Sequence, residues 1–154
     1  MIYDARQIAN WFIDRSAKDG RVISIMSLLK LAYIAHGWNL EMRNTPLFNN
    51  RIEAWRYGPV IPDVYNAFRP QGINSTQMVE SFVLPTDATD VGFLEQIYKI
   101  YGGMSPFRLS QLTHEAGGPW ETASKLGGSY AEIPNDMILG HYVQKRRLAN
   151  QANG

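Results

Sequence analysis

The 154-residue chain contains no cysteine. That absence excludes thiol catalysis, disulfides and cysteine-based zinc sites, and it agrees with a reducing cytoplasm. Long apolar runs are missing too, since no window approaches the roughly 20 apolar residues that span a bilayer. The segment from Met1 to Gln7 has no positively charged stretch leading into an apolar run and a small-residue cleavage site, so no secretion signal is expected. Charge of either sign is scarce and balanced, with 15 Lys and Arg against 14 Asp and Glu. No global field would draw such a chain onto nucleic acid or an anionic membrane, and any such binding would need a local patch. A cytoplasmic protein with no membrane partner is expected.

Catalytic constellations are also wanting. The three histidines, His36, His114 and His141, sit at no metal-binding spacing, and each is expected to be a satisfied structural residue. His114-Glu115 lacks the second histidine four residues after the first that a zinc-protease helix requires. The glycine pairs beginning at Gly102, Gly117 and Gly127 belong to no phosphate loop or dinucleotide fingerprint and read as helix stops. No carboxylate pair stands out, and no Gly-x-Ser-x-Gly elbow occurs. The chain is not expected to be an enzyme, and no metal or cofactor is expected. An enzyme built on His114 and Glu115 would lack the positioned third group that catalysis requires.

What is present is an ordinary globular composition, 45% hydrophobic and 19% charged. A chain of this length buries roughly two-thirds of the surface its unfolded form exposes. The patterning predicts a mainly α fold with a small antiparallel β element (α+β): a single compact helical domain over 1–147 and a polar, frayed tail over 148–154. Asp4 and Gln7 form a capping-box pattern ahead of a helix that Asp19-Gly20 ends. From about Ser24 to Met42 the residues are apolar nearly all round, which places that helix at the centre. Gly37 inside it costs about 1 kcal/mol relative to Ala, so a neighbouring element is expected to approach closely there. Helices are further expected from about Asp87 to Tyr101, from Ser105 to the glycines at Gly117, from Pro119, and from Pro134 or Asn135 to Arg147. A strand is expected over 77–84.

The stretch from Ile52 to Asn66 concentrates Trp55, Tyr57 and Tyr65 around Gly58, Pro59 and Pro62. Side-chain type alternates from Ile52 to Tyr57 as in a strand, Gly58-Pro59 breaks it, and Pro62 suits the first turn of a helix. Strand, stiff elbow and helix are predicted. Such an elbow is a hydrophobic mini-core, a face that receives a protein partner, or both, since Trp, Tyr and Arg dominate binding hot spots.

Helix, Gly102-Gly103 and then Ser105 to Glu115 have the outline of a helix-turn-helix, with Arg108 and Gln111 facing outward. Two packed helices with a short connection have the same outline. The basic cluster Lys145 to Arg147 is accounted for by the dipole at the end of its helix.

Leu31 to Trp38, Pro46 to Phe48, Ile52 to Val60 with Pro62 and Tyr65, and Leu112 to His114 with Pro119-Trp120 together resemble the Panacea domain. That family of bacterial and phage-associated proteins includes the SocA-like antitoxins, and the resemblance covers about Asp4 to Lys125, with the motifs in the family's order. Leu29 departs from it, standing where a polar residue is expected. The resemblance implies a non-enzymatic antitoxin that binds and neutralises a toxin encoded by an adjacent gene. SocA-like members also act as adaptors that deliver the toxin to a protease, so a protease is a second implied partner. The expected contact residues are Trp55, Arg56, Tyr57, Tyr65, His114 and Trp120. The alternative is a helix-turn-helix-like DNA-binding transcriptional regulator that uses Arg108, Gln111 and Lys145 to Arg147, with salt-sensitive operator binding.

Overall fold

The computed structural model describes residues 1–75 and 77–153. Helix α1, Ala5–Lys18, begins with the expected reciprocal cap: the Arg6 amide donates to the Asp4 carboxylate, and the Asp4 amide donates to Gln7 Oε1, both at 2.9 Å. Strand β1, Ile23–Ser24, runs straight into α2, Ile25–Arg43, whose cap is the Ser24 hydroxyl accepting from the Ser27 amide at 3.1 Å. Between Ile25 and Leu40 every α2 residue except Met26 and Trp38 is buried, so neighbours must close around it.

Next comes a hairpin of β2, Glu53–Trp55, and β3, Gly58–Val60, paired antiparallel with Ala54 opposite Pro59 and Trp55 opposite Gly58. This corrects the expected elbow. Arg56 and Tyr57 form the turn, while Gly58-Pro59 continues into the second strand. Gly58 sits at φ +121°, which an L side chain rarely adopts. Pro59 lies on an edge strand, where a residue without an N–H is tolerated. Helix α3, Pro62–Phe68, follows with Pro62 in its first turn, as expected.

Strand β4, Asn74–Ser75, pairs with β1. The strand expected over 77–84 is absent because its backbone is bonded by α1 side chains instead. Asn10 Nδ2 donates to the carbonyls of Val79 and Phe82, the Val79 amide donates to Asn10 Oδ1, and Gln7 Nε2 donates to the Val83 carbonyl. Helices α4, Ala88–Tyr101, α5, Pro106–Thr113, and α6, Pro119–Gly127, begin at Asp87, Ser105 and Gly118. Strand β5, Ala131–Glu132, then joins the hairpin to give the antiparallel order β3-β2-β5.

Helix α7 spans Asn135–Asn153. The tail expected to fray after Arg147 is therefore helical to Asn153, with no Gly or Pro between Leu148 and Asn153 to stop it; Gly154 lies outside the described residues. Residues 145–147 are consequently not in the last turn, and the dipole explanation for their charge does not hold.

These elements form a compact α+β domain, mainly helical with a small three-stranded antiparallel sheet that contains the hairpin and a two-stranded pair, β1-β4. Among the described residues no helix is long and apolar enough to cross a membrane.

The close approach expected at Gly37 is made by α7: a Cβ at that position would fall on the Tyr142 ring. Gly37→Ala gains about 1 kcal/mol of helix propensity, against an overpacking cost of about 1–3 kcal/mol. Overlap with three ring atoms puts this case at the upper end, so a net loss of about 2 kcal/mol is expected in urea denaturation. Gly92→Ala in α4, where a Cβ meets nothing within 4 Å, should instead gain about 1 kcal/mol.

Candidate partner-binding site

The hairpin stands on a buried cation. Lys30 lies inside α2, fully buried, and its ammonium donates to the Tyr57 carbonyl at 3.2 Å. Burial pulls its pKa down to about 8. Beside it, Gly58 packs so closely that a Cβ would lie 2.7 Å from His114 Cε1 and 3.4 Å from Lys30 Nζ. Gly58 is thus required twice, for its φ and for this approach. His114 is turned by its Nδ1–H, which donates to the Ser110 carbonyl at 2.7 Å, and its ring lies 4.3 Å from that of Trp120.

Trp120 in turn locks the sheet. Its Nε1–H donates to the Trp55 carbonyl at 2.7 Å. The Trp55 indole is met edge-on by Tyr65 at 5.0 Å and by Tyr130 at 5.5 Å, and its Nε1–H donates to Glu53 Oε1 at 2.9 Å. The structure therefore brings Trp55, Tyr65, His114 and Trp120 into one connected cluster. Arg56 and Tyr57 project from the turn above it, with the guanidinium 5.6 Å over a Tyr57 ring that is 63% exposed.

Sequence reasoning missed two members. Tyr130 is 61% exposed and held at φ +63°, an unusual conformation for a bulky residue, with its amide donating to the Ala54 carbonyl at 2.9 Å. It walls a cleft of about 480 Å³ with Trp55, Arg56, Trp120 and Ser124. Its signal in the sequence was an aromatic following Gly127, Gly128 and Ser129. Lys30 was legible only as the one charged residue in the otherwise uncharged run from Ile25 to Leu40.

The rival site residues do not converge. Arg108 and Gln111 are exposed on α5 and interact with one another at 3.5 Å. Lys145 is paired with Glu115, and Arg146 with Glu41 through two bonds of 3.0 and 2.9 Å, so two of the three basic residues already serve carboxylates. Glu115 is thereby committed as well. His36 is only half satisfied: Nε2 meets Asn135 Oδ1 at 2.8 Å, whereas buried Nδ1 has no partner among the described residues, and burial lowers its pKa to about 4. Burial likewise lowers that of His141.

The depressed pKa of Lys30 has a measurable sign. Unfolding returns the group to its ordinary value near 10.5. Between about pH 8 and 10.5 the unfolded chain holds a proton that the folded chain has released. Stability therefore rises with pH across that interval, by up to about 3 kcal/mol from this group. Lys30→Met should be the more stable protein at pH 7 and should lack this rise. Urea denaturation of both proteins from pH 7 to 10 checks it, and parallel curves would contradict a desolvated ammonium.

The sequence model of the family described as "Antitoxin SocA-like, Panacea domain" matches residues 28–121, a span that holds all six expected contact residues but not Tyr130. Antitoxin SocA of Caulobacter vibrioides (strain NA1000 / CB15N) is 34% identical over 139 residues, covering 82% of this chain and 73% of that protein. No solved structure matches. With α2 from Leu28 onward, the hairpin and the Trp120 lock inside the matched span, the chain belongs to the Panacea-domain family of SocA-like antitoxins.

Proposed function

We propose that this chain is the antitoxin of a toxin–antitoxin pair and neutralises its cognate toxin by direct binding through the hairpin face, without catalysis of its own. The toxin is the product of an adjacent gene, and the pair acts in the cytoplasm. The observation that carries the reading is the exposure of Tyr57, Arg56 and Tyr130 around a cleft whose walls are fixed by the Trp55–Trp120 lock. Large aromatics held rigid before contact lose little side-chain freedom on binding, which is what makes Tyr, Trp and Arg effective hot spots. Membership of an antitoxin family supports the same role. Delivery of the bound toxin to a protease, the adaptor form of the mechanism, would use the same face for the toxin and leave the opposite surface for the second partner.

Tyr130 separates binding from folding. A bulky residue at positive φ costs on the order of 1–3 kcal/mol, so Tyr130→Gly should raise stability while weakening toxin binding. Co-expression with each adjacent gene product, scored for growth rescue and then for affinity, identifies the toxin. Tyr57→Ala and Tyr130→Gly should each lose about 2 kcal/mol of binding, roughly 30-fold in Kd, with the fold intact. Folded variants that bind as tightly as wild type would remove the hairpin face from the interface.

A further inference from the structure

A second concave surface lies at the other end of α2. Its volume is about 560 Å³ between α2, α4 and α7, and it shares no lining residue with the hairpin cleft. Lys30, under the hairpin, and Met42, at this groove, are 12 positions apart on α2, or about 18 Å along its axis.

The floor is apolar: Phe93 and Ile97 are buried, and Trp38 and Tyr101 are joined by an indole N–H donating to the tyrosine hydroxyl at 2.8 Å. The rims are apolar as well, with Met42 58% and Ile100 57% exposed. Gly92 presents no side chain, and a Cβ there would meet nothing, so α4 leaves room for an approaching element. Exposed large side chains scattered singly need no explanation, but here they border one continuous apolar concavity.

The charges along it have one sign. Arg43 and Arg146 line the groove, and among the described residues no carboxylate does. Arg43 reaches over the Phe93 ring and Arg146 over the Trp38 ring, at 5.3 and 5.2 Å. Their own partners lie outside the lining: Asp90 is buried, and Glu41 holds Arg146 through Nε and Nη2. Arg43 Nε and Arg146 Nη1 have no partner among the described residues.

We propose that this groove docks an amphipathic helix of a partner protein, with apolar side chains seated between Met42 and Ile100 and carboxylates facing Arg43 and Arg146. An apolar groove that a helix fills with residues at i, i+3 or i+4, and i+7 is a recurrent recognition mode, and the two guanidiniums set the sign of the flanking charge. A second copy of this chain fits worse. A two-fold contact sets the same patch against itself, and the facing arginines would find no carboxylate beyond Asp90 and Glu41, which they already hold.

The probe is a synthetic 14-residue helical peptide design with leucines at i, i+3 and i+7 and flanking glutamates, titrated into the full chain by methyl NMR. Saturable shifts at the methyls of Met42, Ile97 and Ile100 are expected. The same peptide with lysines in place of glutamates should bind at least about tenfold more weakly. Met42→Asp with Ile100→Asp, both at exposed positions, should abolish binding. Arg146→Gln should weaken the glutamate peptide and strengthen the lysine peptide, narrowing the difference between them. Equal binding of both peptides, shifts that map elsewhere, or no saturable binding would overturn the proposal. So would a monomer–dimer equilibrium that Met42→Asp abolishes, which would assign the groove to a second copy. Tyr57→Ala should retain full peptide binding, so failure of the hairpin reading and failure of this one remain separate results.

Discussion

The burial of α2 on every side is the constraint from which the rest of the molecule follows. A helix with one apolar stripe needs one neighbour, whereas one apolar nearly all round must be enclosed. Here α1, α3, α4, α5 and α7 all pack against it, together with β3. The register of α2 then decides what each neighbour meets. Lys30 meets the hairpin, Gly37 receives the Tyr142 ring of α7, and Trp38 bonds to Tyr101 of α4. Both surfaces described above are thus set by positions along one buried helix.

The sheet illustrates how little regular structure is needed when side chains hold it. Its strands have only two or three residues each, shorter than anything that is stable in isolation. Three contacts from outside fix the hairpin: the Lys30 ammonium on the turn carbonyl, His114 against Gly58, and the Trp120 indole on the Trp55 carbonyl. Lys30 and Trp120 belong to α2 and α6, and His114 caps the C-terminus of α5. The turn that carries Arg56 and Tyr57 is therefore presented by the core and not by its own ladder. Preorganisation of this kind reduces the ordering cost of association.

Signals that act locally were legible in the sequence. The Asp4–Gln7 cap, the helix starts at Asp87 and Ser105, Pro62 opening α3 and the close approach at Gly37 all follow from a few adjacent residues. What failed depends on partners distant in the chain. Gly58-Pro59 reads as a break, yet it continues the hairpin because an edge position tolerates proline and His114 requires the glycine. The apolar residues over 77–84 suggest a strand, yet Asn10 answers its backbone groups first. Nothing in two residues announces β5, whose only cause is pairing with β2 some 80 positions earlier, as in Glu53 opposite Glu132. The six expected contact residues come from the motif that carries the resemblance, but the connection from His114 through Trp120 to Trp55, and the wall at Tyr130, required the fold.

Several of these features work against stability. Lys30 holds a charge in the core against a single neutral acceptor, Tyr130 occupies a backbone region unfavourable to its side chain, and Met42 and Ile100 leave apolar surface in water. Individually such features cost on the order of 1–3 kcal/mol, against a total folding stability of about 5–15 kcal/mol for a domain. Each has an obvious local remedy: an apolar residue at position 30, glycine at 130, a polar residue at 42 or 100. Similar costs occur elsewhere, since Ser81 also has a positive φ and Phe107 and Leu126 also expose apolar surface. What distinguishes Tyr130, Met42 and Ile100 is that each borders a concave face, and Lys30 stands beneath one of them. A residue that weakens the free protein is retained where a partner recovers the loss, which is the account that binding at those two faces gives of these four positions.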